Sequence, residues 1–168
     1  MLIYSAEEHI NLLQNSILLP IRKVLDESES VFGFLLMGQA IEILGSYLDD
    51  KPMRAKQQSA SRFSIAVYKL FPGKYSSINR KNFLYIQLRA CLTHMFIPTE
   101  KLSLNFGFDK DESKHLYITN DVLFLFSENL FRDLEIATNT LIKRISEGKM
   151  KLKKISLGEI NTSLDFQV

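Results

Sequence analysis

The chain has 168 residues, is 46% hydrophobic and 24% charged, and carries a formal net charge of +2, the profile of one globular domain long enough to bury a core. Cys91 is the single cysteine, which excludes an internal disulfide and fits a reducing cytoplasm; with no apolar run approaching ~18 residues, a membrane span is excluded too. The near-neutral total hides an uneven distribution, because residues 51–99 hold nine Lys or Arg and no acid, while the first fifty residues hold eight acids against two bases. A cationic third of this kind attracts polyanions, phosphate backbones foremost, or forms a solvated face that offsets the acidic start.

In chain order, Ser5 followed by Glu8 forms a capping box, and Ile10, Leu13, Ile17 and Leu18 continue as helix. The acidic start, with no basic leader region, does not resemble a secretory signal. Pro20 is expected to kink or end this helix, since it lacks a donor and clashes with the preceding turn. A second helix is expected over about 29–48, with Val31, Phe34, Leu35, Gly38, Ile41, Leu44 and Leu48 in one stripe. Gly33, Gly38 and Gly45 weaken it, and are tolerable where another backbone packs closely. Residues 49–61, DDKPMRAKQQSAS, read as an exposed connection. A short helix over 62–71 turns Phe63, Val67 and Leu70 inward and ends at Pro72-Gly73. Asn79 then caps a helix to about 97, stopped by Pro98.

Beyond Pro98 the pattern alternates. Leu102, Leu104 and Phe106 precede the turn-like FDKDESK, and Leu116, Ile118 and the apolar run 122–126 follow. This predicts a small antiparallel hairpin at about 101–126, with room for a third short strand. Ser127 is expected to cap a last long helix carrying Leu130, Leu134, Ala137, Leu141 and Ile145, with Gly148 as its stop signal. The expected domain is therefore mainly α over 1–148, with 149–168 a basic tail or an edge strand opened by Lys149, Lys151, Lys153 and Lys154.

The helix over 81–97 carries most of the chemistry. On an ideal wheel Leu84, Leu88, Cys91, Leu92 and Met95 form a core stripe, and Ile86, Ala90, Thr93 and Ile97 form a second small or apolar stripe nearly opposite. A helix apolar on both sides is the centre of a bundle or meets another subunit. Arg89 and His94 stand on the two borders, roughly 140° apart, so one face of one chain does not unite them. A two-fold copy packed on the Ile86, Ala90 and Thr93 face would bring each arginine toward its partner's histidine. His94 lies in the last turn, where the macrodipole favours the protonated ring. Glu42, alone in an otherwise uncharged helix stretch, is placed to orient Arg89 or His94, or to face solvent.

The run Arg89-Ala-Cys-Leu-Thr-His94, within QLRACLTHMFIP and preceded by GQAIEILGSYLDDKP, resembles the Arg-x4–6-His helix of the HEPN superfamily over about residues 29–98. The resemblance implies a helical bundle of four to five helices, here with the hairpin inserted before the last long helix, commonly dimeric. It implies RNA or a nucleotide as ligand, and in active members a metal-independent endoribonuclease that leaves 2′,3′-cyclic phosphate ends. Carried over by position, His94 moves the proton and Arg89 stabilises charge on the phosphorane-like transition state. Active members usually carry a polar residue after the motif arginine, where this chain has Ala90; the alternative is a catalytically degenerate module that binds nucleic acid, a nucleotide or a protein partner. Arg54, Lys56, Arg62, Arg80 and Lys81 are the expected phosphate contacts, and Tyr68, Tyr75 and Tyr85 either stack on bases or sit at the edge of the core. No cofactor and no metal is expected: Asp49-Asp50 reads as a helix end and Asp109, Asp111 and Glu112 as a solvated turn, while His9 and His115 read as surface residues.

Overall fold

The computed structural model describes residues 2–110 and 113–156. The capping box at the start forms as expected, with Ser5 Oγ accepting from the Glu8 N–H at 3.2 Å and Glu8 Oε2 accepting from the Ser5 N–H at 2.9 Å. Helix α1 (Ala6–Asn11) passes through a π-helical stretch, Leu12–Leu18, into α2 (Leu19–Glu27) with helical dihedrals at both junctions. Pro20 therefore neither ends nor breaks the helix. The reason is the π register: the Leu19 N–H bonds Gln14 O, five residues back. This widened turn ends where the proline ring needs room and where one donor is missing.

Helix α3 (Val31–Ser46) lies at the centre and packs on α2, α4 (Ser59–Leu70), α7 (Ser127–Ser146) and the helix that carries Arg89. Phe34, Met37, Ile41 and Leu44 form its fully buried side. Two of its glycines permit close approach. A Cβ at Gly45 would lie 1.8 Å from the Arg62 carbonyl oxygen, and one at Gly38 would lie 3.3 Å from Leu88 O and 3.5 Å from Arg89 Cα.

Phe63, Val67 and Leu70 of α4 are buried as expected. After Pro72 comes a short helix not expected from the sequence, α5 (Gly73–Ile78), then a 3-10 turn, Arg80–Asn82. Asn79 Oδ1 accepts from the Tyr85 N–H at 3.0 Å and so caps the next helix from its side chain. That helix is π-helical over Tyr85–Cys91 and α-helical over Leu92–Met95 (α6), and it stops at Phe96, whose φ of 55° is left-handed, two residues before Pro98. The wider turn changes which residues face inward. Leu84, Leu88 and Leu92, four apart, are buried, whereas Cys91 is half-buried and Met95 is 65% exposed, which corrects the ideal-wheel stripe.

Two small sheets complete the fold. Strand β1 (Leu2–Ile3) pairs antiparallel with β5 (Ile155–Ser156), so the segment after residue 148 contributes an edge strand; the rest of that expected tail, 157–168, lies outside the described residues. In the second sheet β3 (Tyr117–Thr119) and β4 (Val122–Phe126) form an antiparallel pair around Asn120-Asp121, both with positive φ, as a tight two-residue turn requires. The hairpin is thus confined to 117–126. Strand β2 (Leu102–Asn105) is not its first arm; it pairs parallel with β4, in the order β2-β4-β3. The 106–116 connection returns the chain to the sheet's other edge, where Asp109 Oδ2 accepts from the His115 N–H at 2.7 Å.

Helix α7 buries Leu130, Leu134, Ala137, Leu141 and Ile145. Ser127 is its first residue and not its cap; Ser127 Oγ instead accepts from the Gly107 N–H at 3.0 Å. Gly148, at φ 66°, closes α7 as expected. The chain is mainly helical with small sheets, and among the described residues no helix is long and apolar enough to cross a membrane.

Candidate functional site

Gly38 sets the position of Arg89. With no side chain between them, the backbone of the π stretch approaches α3, and Glu42, one turn beyond Gly38, meets the guanidinium. Arg89 Nε donates to Glu42 Oε2 at 2.8 Å and Arg89 Nη1 donates to Thr93 Oγ1 at 2.8 Å, while the Thr93 hydroxyl donates to Arg89 O at 2.6 Å. The side chains of Arg89 and Glu42 are 16% and 18% exposed. Glu42 therefore orients Arg89, not His94, and offsets its charge in a partly dry setting.

His94 stands apart on the exposed end of the same helix. No hydrogen bond joins it to Arg89 or to Glu42 among the described residues. It lines an apolar cleft of about 380 Å³ with Ala90, Cys91, Met95, Ile97, Pro98 and Thr99. The second apolar stripe is left uncovered within one chain: Ile86 is 41% and Ile97 64% exposed, with Ala90 and Thr93 half-buried between them. Phe96 extends this surface and meets Phe32 of α3 at a ring separation of 5.6 Å.

Of the expected phosphate contacts, Arg54, Lys56, Arg80 and Lys81 are exposed. Arg62 is not one of them. It is 4% exposed, and its guanidinium is taken up by Asp49 Oδ2 at 2.7 Å, Pro52 O at 2.7 Å and Met53 O at 2.6 Å. The α3–α4 crossing at Gly45 draws Arg62 inward, where it ties down the turn that follows α3. Asp49 also accepts from Lys153 Nζ at 2.6 Å. Burial pushes the Asp49 carboxyl up, but Arg62 and Lys153 outweigh it and hold the group at about 2.

Both histidines read as surface residues are interior. His9 is fully buried; its Nδ1 pairs with the Tyr47 hydroxyl at 2.9 Å and its Nε2 with Lys153 O at 2.9 Å. Burial lowers its affinity for a proton. His115 is 5% exposed and belongs to a buried polar cluster. Its Nδ1 accepts from the Phe126 N–H at 3.1 Å, which places the ring proton on Nε2, toward the Tyr75 oxygen at 3.0 Å; Tyr75 donates in turn to Asp133 Oδ2 at 2.8 Å. Burial and the neighbouring Asp133 push the Tyr75 hydroxyl up, so it stays protonated and donating. Asp109, read as part of a solvated turn, is 7% exposed and accepts from this loop's backbone; Asp111 and Glu112 lie outside the described residues. Tyr75 is thus core, Tyr68 is exposed and Tyr85 packs on Phe63.

Sequence reasoning missed this cluster because its members are 40 and 58 residues apart. The available signal was Asp133, an acid on the inward side of α7 between Leu130 and Ala137. Among the described residues no three His, Cys, Asp or Glu side chains converge to hold a metal ion. The fold and site define a mainly helical protein with a carboxylate-anchored arginine and, apart from it, an exposed histidine, both on a helix whose second apolar side is uncovered. Comparison with family models, curated proteins and solved structures finds no match for the chain.

Proposed function

We propose that the chain is an RNA-directed protein of the HEPN type that acts as a pair of copies, with Arg89 and His94 completing one site across the pair. The observation that carries this reading is the uncovered Ile86, Ala90, Thr93 and Ile97 face beside an oriented arginine. Apposing two such faces buries apolar surface and brings His94 of one copy toward Arg89 of the other. Glu42 holds Nε and Thr93 holds Nη1, which leaves Nη2 with no acceptor among the described residues, and in this reading Nη2 is the donor to a phosphate oxygen. His94, exposed and without a hydrogen-bond partner among the described residues, is the group that moves the proton in this reading. In the cleaving form the ribose 2′-OH attacks the adjacent phosphorus, the P–O5′ bond breaks, and the cyclic phosphate and a 5′-hydroxyl result.

A second reading, binding without cleavage, is favoured by Ala90 and by the carboxylate that already offsets Arg89. RNA cleavage in EDTA separates the two. The parent is expected to leave 2′,3′-cyclic phosphate ends, and His94→Ala and Arg89→Ala each to abolish them. Mixing the two inactive variants is expected to restore about a quarter of the activity, because mixed dimers hold one intact site. A folded parent that leaves a broad RNA panel intact overturns catalysis and leaves the binding reading.

A further inference from the structure

The lysines that open the C-terminal segment do not trail from the domain. His9 Nε2 and β1 hold the backbone at Lys153 and at Ile155–Ser156, and Lys153 Nζ turns inward to Ser46 O and Asp49. With Lys153 anchored, Lys151 and Lys154 remain exposed beside the turn that begins the cationic third of the sequence. The two basic segments, a hundred residues apart, face each other across a cleft of about 310 Å³ lined by Asp49, Asp50, Lys51, Lys151, Leu152 and Lys154, among others.

We propose that this cleft is a track for the phosphate backbone of single-stranded RNA, gripped by Lys51 on one wall and by Lys151 and Lys154 on the other. It rests on the reading of the chain as RNA-directed, and adds a binding surface separate from Arg89 and His94. Three observations carry it. Lys51, Lys151 and Lys154 have no carboxylate within ion-pair distance among the described residues; Lys51 Nζ is held by Gln58 Oε1, a neutral partner. Of the two acids at the cleft, Asp49 is already matched by Arg62 and Lys153, leaving Asp50 as the one exposed carboxylate among the lining residues. The chain leads from this cleft to a second one of about 330 Å³: Pro52 and Lys154 line the first, and Met53, Arg54 and Ile155 line the second, along with Glu42, the residue that anchors Arg89. In this proposal a strand that follows the lysines past Arg54 continues toward Glu42. A recessed groove with lysines on both walls suits a phosphate chain, whereas a lipid surface calls for a convex basic face with apolar side chains to insert.

The test is binding of a 2′-O-methyl RNA oligonucleotide, which has no 2′-OH to attack and so reports binding apart from cleavage. Fluorescence anisotropy of the full chain is read against salt. Lys151→Gln/Lys154→Gln is expected to weaken binding about tenfold and to lower the salt slope by about 1.4, the value for two lost contacts to a single strand. Lys51→Gln is expected to act in the same direction, while Lys23→Gln/Lys143→Gln, exposed lysines away from the cleft, leaves affinity unchanged. Unaltered affinity in the Lys151/Lys154 variant, with an unaltered melting curve, overturns the track even if the parent cleaves RNA. Lysine-dependent binding that survives in Arg89→Ala and His94→Ala supports the track even if no RNA is cleaved. Binding of the parent to phosphatidylserine vesicles through these same lysines, with none to the RNA, overturns it in favour of a membrane surface.

Discussion

His9 shows how one buried ring links distant parts of the chain to pH. Its Nε2–H donates to the carbonyl of Lys153 and its Nδ1 accepts from Tyr47, an arrangement that suits the neutral ring. Burial depresses its pKa from the ordinary 6.5, so between 6.5 and the depressed value the unfolded chain binds a proton that the folded chain refuses. Stability from His9 is full above about 6.5 and is lost as pH falls through the folded pKa. The urea midpoint is expected to drop between pH 7.5 and pH 5, and His9→Gln to flatten that profile; a profile unchanged by the substitution would sink the assignment. Asp49 acts in a lower window, its contribution fading between about 4 and the folded value of about 2. None of this was legible locally. The partners of His9 lie 38 and 144 residues away along the chain, and Arg62 and Asp49 look like ordinary members of an exposed connection. What buries them is a helix crossing elsewhere.

At the scale of elements, the crossing of α3 and α4 turns on Gly45. A methyl group there would overlap the Arg62 carbonyl at 1.8 Å, and backbone cannot swing aside as a flexible side chain does. Gly45→Ala is expected to cost more than about 3 kcal/mol or to prevent folding. Gly73, at the first turn of α5, has nothing within 4 Å of an added Cβ and no left-handed backbone. Gly73→Ala is expected to stabilise by about 0.5 kcal/mol through the unfolded chain. Equal effects of the two substitutions in chemical denaturation would contradict the close crossing. Some caps and stops were readable from single residues, namely Ser5 with Glu8, Asn79 and Gly148; Ser127, which looks like a cap, is instead the first residue of α7. The two π stretches were not, because hydrophobic spacing of 3.6 and a wider turn differ little over seven residues, and Pro20 alone argues for a break. The wider turn then misplaces side chains on a wheel, which is why Met95 was expected inside and stands outside.

For the whole molecule, the ends of the described chain meet. Lys153 and His9 hold the segment around β5 against α1, α3 and β1. Lys153→Ala is expected to speed amide exchange at Ile3 and Ile155 by at least tenfold, about 1.4 kcal/mol of local protection, while α4 and α7 keep theirs. Exchange unchanged at β1 and β5 would show that the sheet, not the lysine, holds this end. The same substitution spares Lys151 and Lys154 but loosens the wall they stand on, so the proposed RNA track is a property of the closed fold and not of a basic tail. By itself the sequence determined what depends on near neighbours: a mainly helical chain, most helix ends, short strands before the last long helix, and the placement of Arg89 and His94 on one helix with a second apolar side; it placed the hairpin turn at FDKDESK, whereas the strands turn at Asn120-Asp121. Only the tertiary structure decided which groups are charged partners and which are free. It committed Arg62 to the interior, gave Arg89 to Glu42, left His94 exposed, and set two lysine segments face to face. Burial and ion pairing are fixed by which backbones approach closely, and that depends on glycines and turn widths whose effect appears only when helices cross.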